Sequence, residues 1–141
     1  MRIVLSLLSL SCILFLNSCK VNKDVVDQCL GLRLDQQEFI EAKIDLVKIK
    51  SAEIQDDCLK LRFTVQGACD ADGISMHWDY RVKKSKPAIA RLKLAYAGKS
   101  DCPNKTEYSR NFELKELKNP AYKGKVLIKV NDWAENLEFT Y

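Results

Sequence analysis

Along most of this chain apolar and polar residues alternate with the period of a strand that buries one face. The clearest run sets Leu59, Leu61, Phe63 and Val65 between Lys60, Arg62, Thr64 and Gln66. Met76, Trp78, Tyr80 and Val82 alternate with His77, Asp79 and Arg81, and Ala88, Ala90, Leu92, Leu94 and Tyr96 alternate with Arg91 and Lys93. The polar link 83–87 is short and ends in Pro87 where the second run begins, so it reads as the turn of an antiparallel hairpin. Phe112 and Leu114 begin a further strand after a loop over 98–106, Asn119 and Pro120 mark a turn, and Val126, Ile128 and Val130, then Leu137, Phe139 and Tyr141, supply two more strands.

The pattern is less regular upstream. Ala42, Ile44 and Leu46 share one parity and Val47 and Ile49 the other, which fits a bulged strand or two strands in succession, while a helix through Phe39, Ile40, Ile44 and Val47 competes. Residues 19–38 are polar around scattered apolar side chains and read as a tether, with Gly31 opposing a long helix. About seven strands at this turn spacing predict an all-β fold, a disulfide-bonded antiparallel β-sandwich over residues 39–141. Within the hairpin, the register predicted to oppose unlike charges sets Asp79 against Arg91, Trp78 against Leu92 and Tyr80 against Ala90.

The first residues change the picture from fold to address. Arg2 precedes an uncharged apolar run over 3–16, about 21 Å long as a helix against the roughly 30 Å of a hydrocarbon core, so residues 1–18 read as an export signal. Leu16, Asn17, Ser18 and Cys19 resemble the bacterial lipobox, although Asn17 departs from the small residue usual at its place. The resemblance implies cleavage before a lipidated Cys19, with palmitate-type acyl chains holding the body on a membrane, since more than one chain is needed for stable anchoring. Lys20 follows instead of an Asp, which favours the outer membrane. An ordinary signal peptide with an incidental cysteine is the competing reading. The block from Cys58 to Cys69, a strand closed by Gly67 and Ala68, resembles small lipoproteins of the Bacteroidota and implies a similar address, with no activity attached.

An oxidising envelope compartment then governs the cysteines. Cys29, Cys58, Cys69 and Cys102 remain beyond the signal and the lipid site, an even set without the close pairs of a zinc site. Extended chain between Cys58 and Cys69 spans up to about 36 Å, far beyond the roughly 7 Å a disulfide tolerates. The hairpin brings Cys69 and Cys102 to one end, so the predicted bridges are Cys69 with Cys102 and Cys29 with Cys58.

Reactive chemistry is sparse. His77 is the single histidine and has polar-face parity, so a solvated strand residue is expected, with no nucleophile-bearing G-x-S-x-G turn. Asp70, Asp72 and Gly73 lack the remaining calcium-loop ligands and read as a polar turn. No residue set calls for a metal or another cofactor.

Charge is the stronger signal. From Tyr80 to Lys99 the basic residues Arg81, Lys83, Lys84, Lys86, Arg91, Lys93 and Lys99 occur with no acid among them, although the formal net charge of the whole chain is only +4. Such a face suits an anionic envelope ligand or an acidic protein partner, while a solvated face with gatekeeping lysines is the plainer alternative. Core parity of Trp78, Tyr80 and Tyr96 leaves few aromatics to stack bases, which argues against nucleic acid. Trp133 sits in the polar stretch 131–136 and reads as a cap on the sandwich end or an exposed binding anchor. The expected function is a non-enzymatic binding or accessory module on the envelope; a small hydrolase using paired carboxylates, or an inhibitor of an envelope enzyme, is the alternative.

Overall fold

The computed structural model describes residues 28–141. The signal (1–18), the lipidation site Cys19 and the first part of the tether lie outside the described residues. Among these, eight strands form two four-stranded sheets packed face to face. The first sheet orders β1 (Cys29–Leu30), β6 (Lys105–Glu113), β3 (Cys58–Gln66) and β2 (Val47–Gln55); the second orders β4 (Ile74–Lys83), β5 (Ala88–Tyr96), β7 (Lys125–Val130) and β8 (Leu137–Thr140). The expected sandwich is therefore present, with pairing mostly antiparallel but parallel between β1 and β6 and between β5 and β7. No helix among the described residues is long and apolar enough to cross a membrane.

Alternation explains the core. Leu59, Leu61, Phe63 and Val65 of β3 meet Met76 and Trp78 of β4, Ala90, Leu92, Leu94 and Tyr96 of β5, Val126, Ile128 and Val130 of β7 and Phe139 of β8 in one buried cluster. Each large apolar side chain so buried contributes about 1.5–3 kcal/mol.

Both predicted disulfides are present, with Cα separations of 6.1 Å for Cys29–Cys58 and 5.3 Å for Cys69–Cys102. Gly67 makes the second possible. It turns the chain out of β3 at φ +79°, a conformation natural to glycine, and a Cβ there would lie 2.6 Å from the carbonyl oxygen of Ser100. Its backbone accepts from the Cys102 amide at 3.1 Å and donates to Asn104 at 3.0 Å, which lays Cys69 beside Cys102.

The tether reading fails from Cys29 onward. Cys29 and Leu30 pair with Asn111 and Phe112, and Arg33 bridges to His77 by hydrogen bonds to Met76 and Trp78. A short helix α1 (Gln36–Glu41) follows, its first turn capped by Asp35, whose carboxylate accepts from the Glu38 amide at 2.8 Å. The folded body thus begins by Cys29, because a disulfide and strand pairing hold a segment too polar to be recognised by its apolar content. Both upstream readings are partly realised: helix stops at Glu41, and β2 carries a bulge between Ile49 and Ser51 that resets its parity. In β6 the strand begins at Lys105, inside the expected loop, since its pairing partner β3 supplies the order that its polar sequence conceals.

The hairpin register holds only in part. Trp78 lies opposite Leu92 as predicted, but beyond it Val82 meets Ala90, so Asp79, Tyr80 and Arg81 together face Arg91 alone. Tyr80 takes φ +60° and is 57% exposed, against the expectation that it would enter the core beside Ala90. Local bonds replace the lost ladder: Asp79 accepts from the Arg81 amide at 3.0 Å, the Trp78 indole donates to the Arg81 carbonyl at 3.3 Å, and the Tyr80 ring rests 5.4 Å from that of Trp78.

Candidate functional site

The outer face of the second sheet collects the residues singled out by charge. Its polar positions are Ser75 and His77 on β4, Arg91 and Lys93 on β5 and Lys129 on β7, because their neighbours Met76, Trp78, Leu92, Leu94 and Val130 point into the core. Arg91 lies directly beside Lys129 in the parallel β5–β7 register. Like charges so placed cost stability, and among the described residues neither forms an ion pair.

Helix α1 crosses this face and divides it. The Lys93 ammonium donates to the Phe39 carbonyl at 2.8 Å and sits 4.5 Å from the centre of the Phe39 ring. Lys93 is therefore committed to holding the helix. On one side of Phe39 lies a depression of about 450 Å³ lined by Ile44, Arg91, Lys93, Lys129, Asn131 and Asp132. On the other side, one of about 350 Å³ is lined by Asp79, Arg81, Val82, Lys83, Ile89 and Arg91. Arg91 and Phe39 belong to both. Acids are present but occupied or outnumbered: Asp79 bonds within the bulge and stands 3.9 Å from the Arg81 guanidinium.

The rim of the first depression is fixed by Asn131, which adopts φ +41°. Its side chain accepts from the Leu94 amide at 2.7 Å and donates to the Leu94 carbonyl at 2.8 Å, continuing the β5–β7 pairing beyond the strand. Sequence reading gave Asn131 no role beyond a turn, and its tolerance of positive φ was the available signal.

Of the seven basic residues of the acid-free stretch, Lys99 lies exposed beyond β5 and lines neither depression, and the other six separate into three groups. Arg81, Lys83 and Arg91 line the depressions, Lys93 supports α1, and Lys84 and Lys86 stand exposed at the hairpin tip and line neither. Trp133 is half-buried in a different hollow with Asp45, Val47, Lys48 and Ile49. Its indole nitrogen is buried without a hydrogen-bond acceptor. Lys129, missed in the sequence because it lies outside the acid-free stretch, becomes a site residue through the parallel pairing.

His77 corrects the reading of a solvated histidine, being 7% exposed beneath Arg33 and α1. Its Nε2 lies 2.8 Å from the Ser75 hydroxyl and its Nδ1 3.6 Å from Glu38 Oε2. Burial lowers its pKa below 6.5; Glu38 opposes that shift, and Arg33 and Lys93 reinforce it, so the ring is neutral at neutral pH. Elsewhere, Cys69, Asp101 and Cys102 cluster closely, but both sulfurs are consumed by their bridge and offer no thiolate.

No family model and no curated protein matches this chain. Its fold is similar to the crystal structure of a DUF1344 protein of unknown function from Bacteroides vulgatus, with a TM-score of 0.54 at 18% identity. That likeness covers 80% of this chain and 56% of the other, so the chain spans little more than half of that protein's length. At this identity it is a likeness of fold alone.

Proposed function

We propose that the protein is an envelope lipoprotein, anchored through Cys19 at the outer membrane, that acts as a binding module for an anionic envelope ligand. The observation that carries the reading is the Arg91–Lys129 neighbourhood: two adjacent cations, held beside an apolar wall of Phe39 and Ile44 with no ion-pairing carboxylate, offer a ready place for an anion. An anionic group entering there relieves the repulsion between them, while the ring and the aliphatic side chain accept an apolar portion. The short helix-borne Phe39 sets the two depressions side by side, so a ligand with two acidic groups is accommodated across Arg91.

A sulfated tetrasaccharide serves as a soluble probe of anionic glycan chemistry. Binding is expected to weaken steeply as salt is raised, and Arg91→Glu combined with Lys129→Glu should lower affinity at least tenfold without lowering the melting temperature. Salt-independent binding, or unchanged affinity in the double variant, would remove the proposal. For the anchor, Cys19→Ser should move the protein from the membrane to the soluble fraction, and a mass spectrum showing an unlipidated Cys19 in the native protein contradicts that part.

A further inference from the structure

Beside the basic depressions, and independent of them, lies a hydroxyl–imidazole–carboxylate array. Ser75 and His77 are two residues apart on β4, so the strand period puts both side chains on its outer face, where the hydroxyl meets Nε2 at 2.8 Å. Glu38 reaches the other ring nitrogen from α1, at 3.6 Å. That nitrogen is buried and has no hydrogen-bond partner at this distance. In the tautomer with the proton on Nδ1, which faces the carboxylate, Nε2 accepts from Ser75. A nucleophile hydrogen-bonded to a base that is itself oriented by an acid is the arrangement that activates serine. Such contacts are often long before substrate binds and tighten as charge develops.

The array opens on a depression of about 420 Å³. Its wall is made of Gly73, Ala42, Ala95 and Ala97, small residues that leave room for a short acyl group; Lys43, Glu41 and Asp72 also line it, and Arg33 does so while paired with Glu38 at 3.7 Å. Gly73 cannot be enlarged, because a Cβ there would lie 2.1 Å from the Gly98 amide nitrogen.

We infer that Ser75 and His77 form the catalytic pair of a short-chain O-acyl ester hydrolase, with Glu38 as the positioning residue. Ser75 Oγ attacks the ester carbonyl as its proton passes to His77 Nε2, forming the Oγ–C bond and placing negative charge on the carbonyl oxygen. The C–O bond to the alcohol then breaks, and the alcohol leaves with the proton from Nε2. Water, deprotonated by the same nitrogen, attacks the acyl carbon; the Oγ–C bond breaks, the proton on Nε2 passes to Oγ, and the carboxylic acid leaves with Ser75 restored. The imidazolium formed in each step draws the Glu38 carboxylate into a charge-assisted bond. Lowering of the His77 pKa by burial keeps the base unprotonated at neutral pH.

The test uses the full chain purified in detergent, a fluorophosphonate probe and p-nitrophenyl acetate. A single adduct is expected, mapping to Ser75 by peptide mass spectrometry, together with turnover of the acetate ester. Labelling should vanish in Ser75→Ala and His77→Gln. Glu38→Gln should lower kcat by tenfold or more with little change in KM, and Glu38→Asp should recover part of it. The rate should rise with pH through an inflection below 6.5, in a setting where Glu38 from α1, Arg33 from the preceding segment and Lys93 from β5 are the charged groups facing the ring. Absence of an adduct on Ser75 in the unaltered protein at pH 8 overturns the inference regardless of how the variants fold, as does turnover that persists in Ser75→Ala.

Discussion

The two sheets share an inner face but differ at the centre of their outer faces. On the first, Arg62 of β3 meets Glu107 of β6 at 2.6 Å and Lys60 lies opposite Glu53 of β2. On the second, Arg91 of β5 lies beside Lys129 of β7, and the nearest cross-strand ion pair is at the far edge, where Lys125 meets Glu138 at 3.0 Å. Both disulfides also belong to the first sheet, one joining β1 to β3 and the other tying the loops at the ends of β3 and β6. The sheet that is stapled and charge-balanced acts as the frame. The sheet that retains opposed cations, a crossing helix and a buried histidine is the one on which binding and ester hydrolysis are proposed.

Covalent ties should give the largest asymmetry. Cys29→Ser with Cys58→Ser is expected to destabilise the protein by about 2–5 kcal/mol, read from urea unfolding, while leaving tetrasaccharide affinity unchanged wherever the protein is folded. Equal loss of affinity and stability would mean that the frame and the site are not separable. Next comes Asn131→Ala, which removes two hydrogen bonds to Leu94 at a residue with positive φ. A cost of about 1–3 kcal/mol is expected, and this variant should also weaken binding because it unpins the rim of the first depression.

A smaller effect separates the faces by pH. The folded state holds His77 below its unfolded pKa of 6.5, so below that value the unfolded chain binds more protons. Stability is therefore full above 6.5, falls as pH drops below it, and stops falling on this account once pH passes the folded pKa. His77→Gln should flatten the slope just below pH 6.5, and since the chain has one histidine no other imidazole can imitate it. An unaltered slope in the variant would place the titration elsewhere. The smallest effects have opposite signs. Arg62→Gln should cost about 0.2–1 kcal/mol by breaking an exposed pair, whereas Arg91→Gln should stabilise by a similar small amount through relief of like-charge opposition. Thermal unfolding of the two variants side by side reads both.

Much of the framework was legible because alternation is a local signal. The strands around Phe63, Leu92 and Ile128 follow directly from it, and strand length with hairpin geometry leads to both disulfides. What escaped depends on partners distant in sequence. Strand β6 is polar over most of its length and is ordered by pairing with β3, and Cys29 enters the fold through Cys58 and β6 rather than through its neighbours. The bulge at residues 79–81 is invisible to parity, since both Tyr80 and Val82 are apolar and only backbone conformation decides which enters the core. For the candidate site, the acid-free stretch pointed to the outer face of the second sheet, but it could not distinguish Arg91, which lines both depressions, from Lys84 and Lys86 at the tip. Lys129 and Glu38 join the site by tertiary placement alone.

If the two outer faces differ in function as they differ in charge, an anionic ligand should mark one of them and not the other. Backbone amide chemical-shift mapping of the full chain in detergent, during titration with the sulfated tetrasaccharide, reads this. Saturable shifts are expected at Phe39, Arg91, Lys129 and Asn131, with Arg62, Lys60 and Glu107 silent, and those shifts should collapse in the Arg91→Glu, Lys129→Glu protein. Shifts centred on Arg62 and Lys60, or spread evenly over both sheets, would contradict that difference.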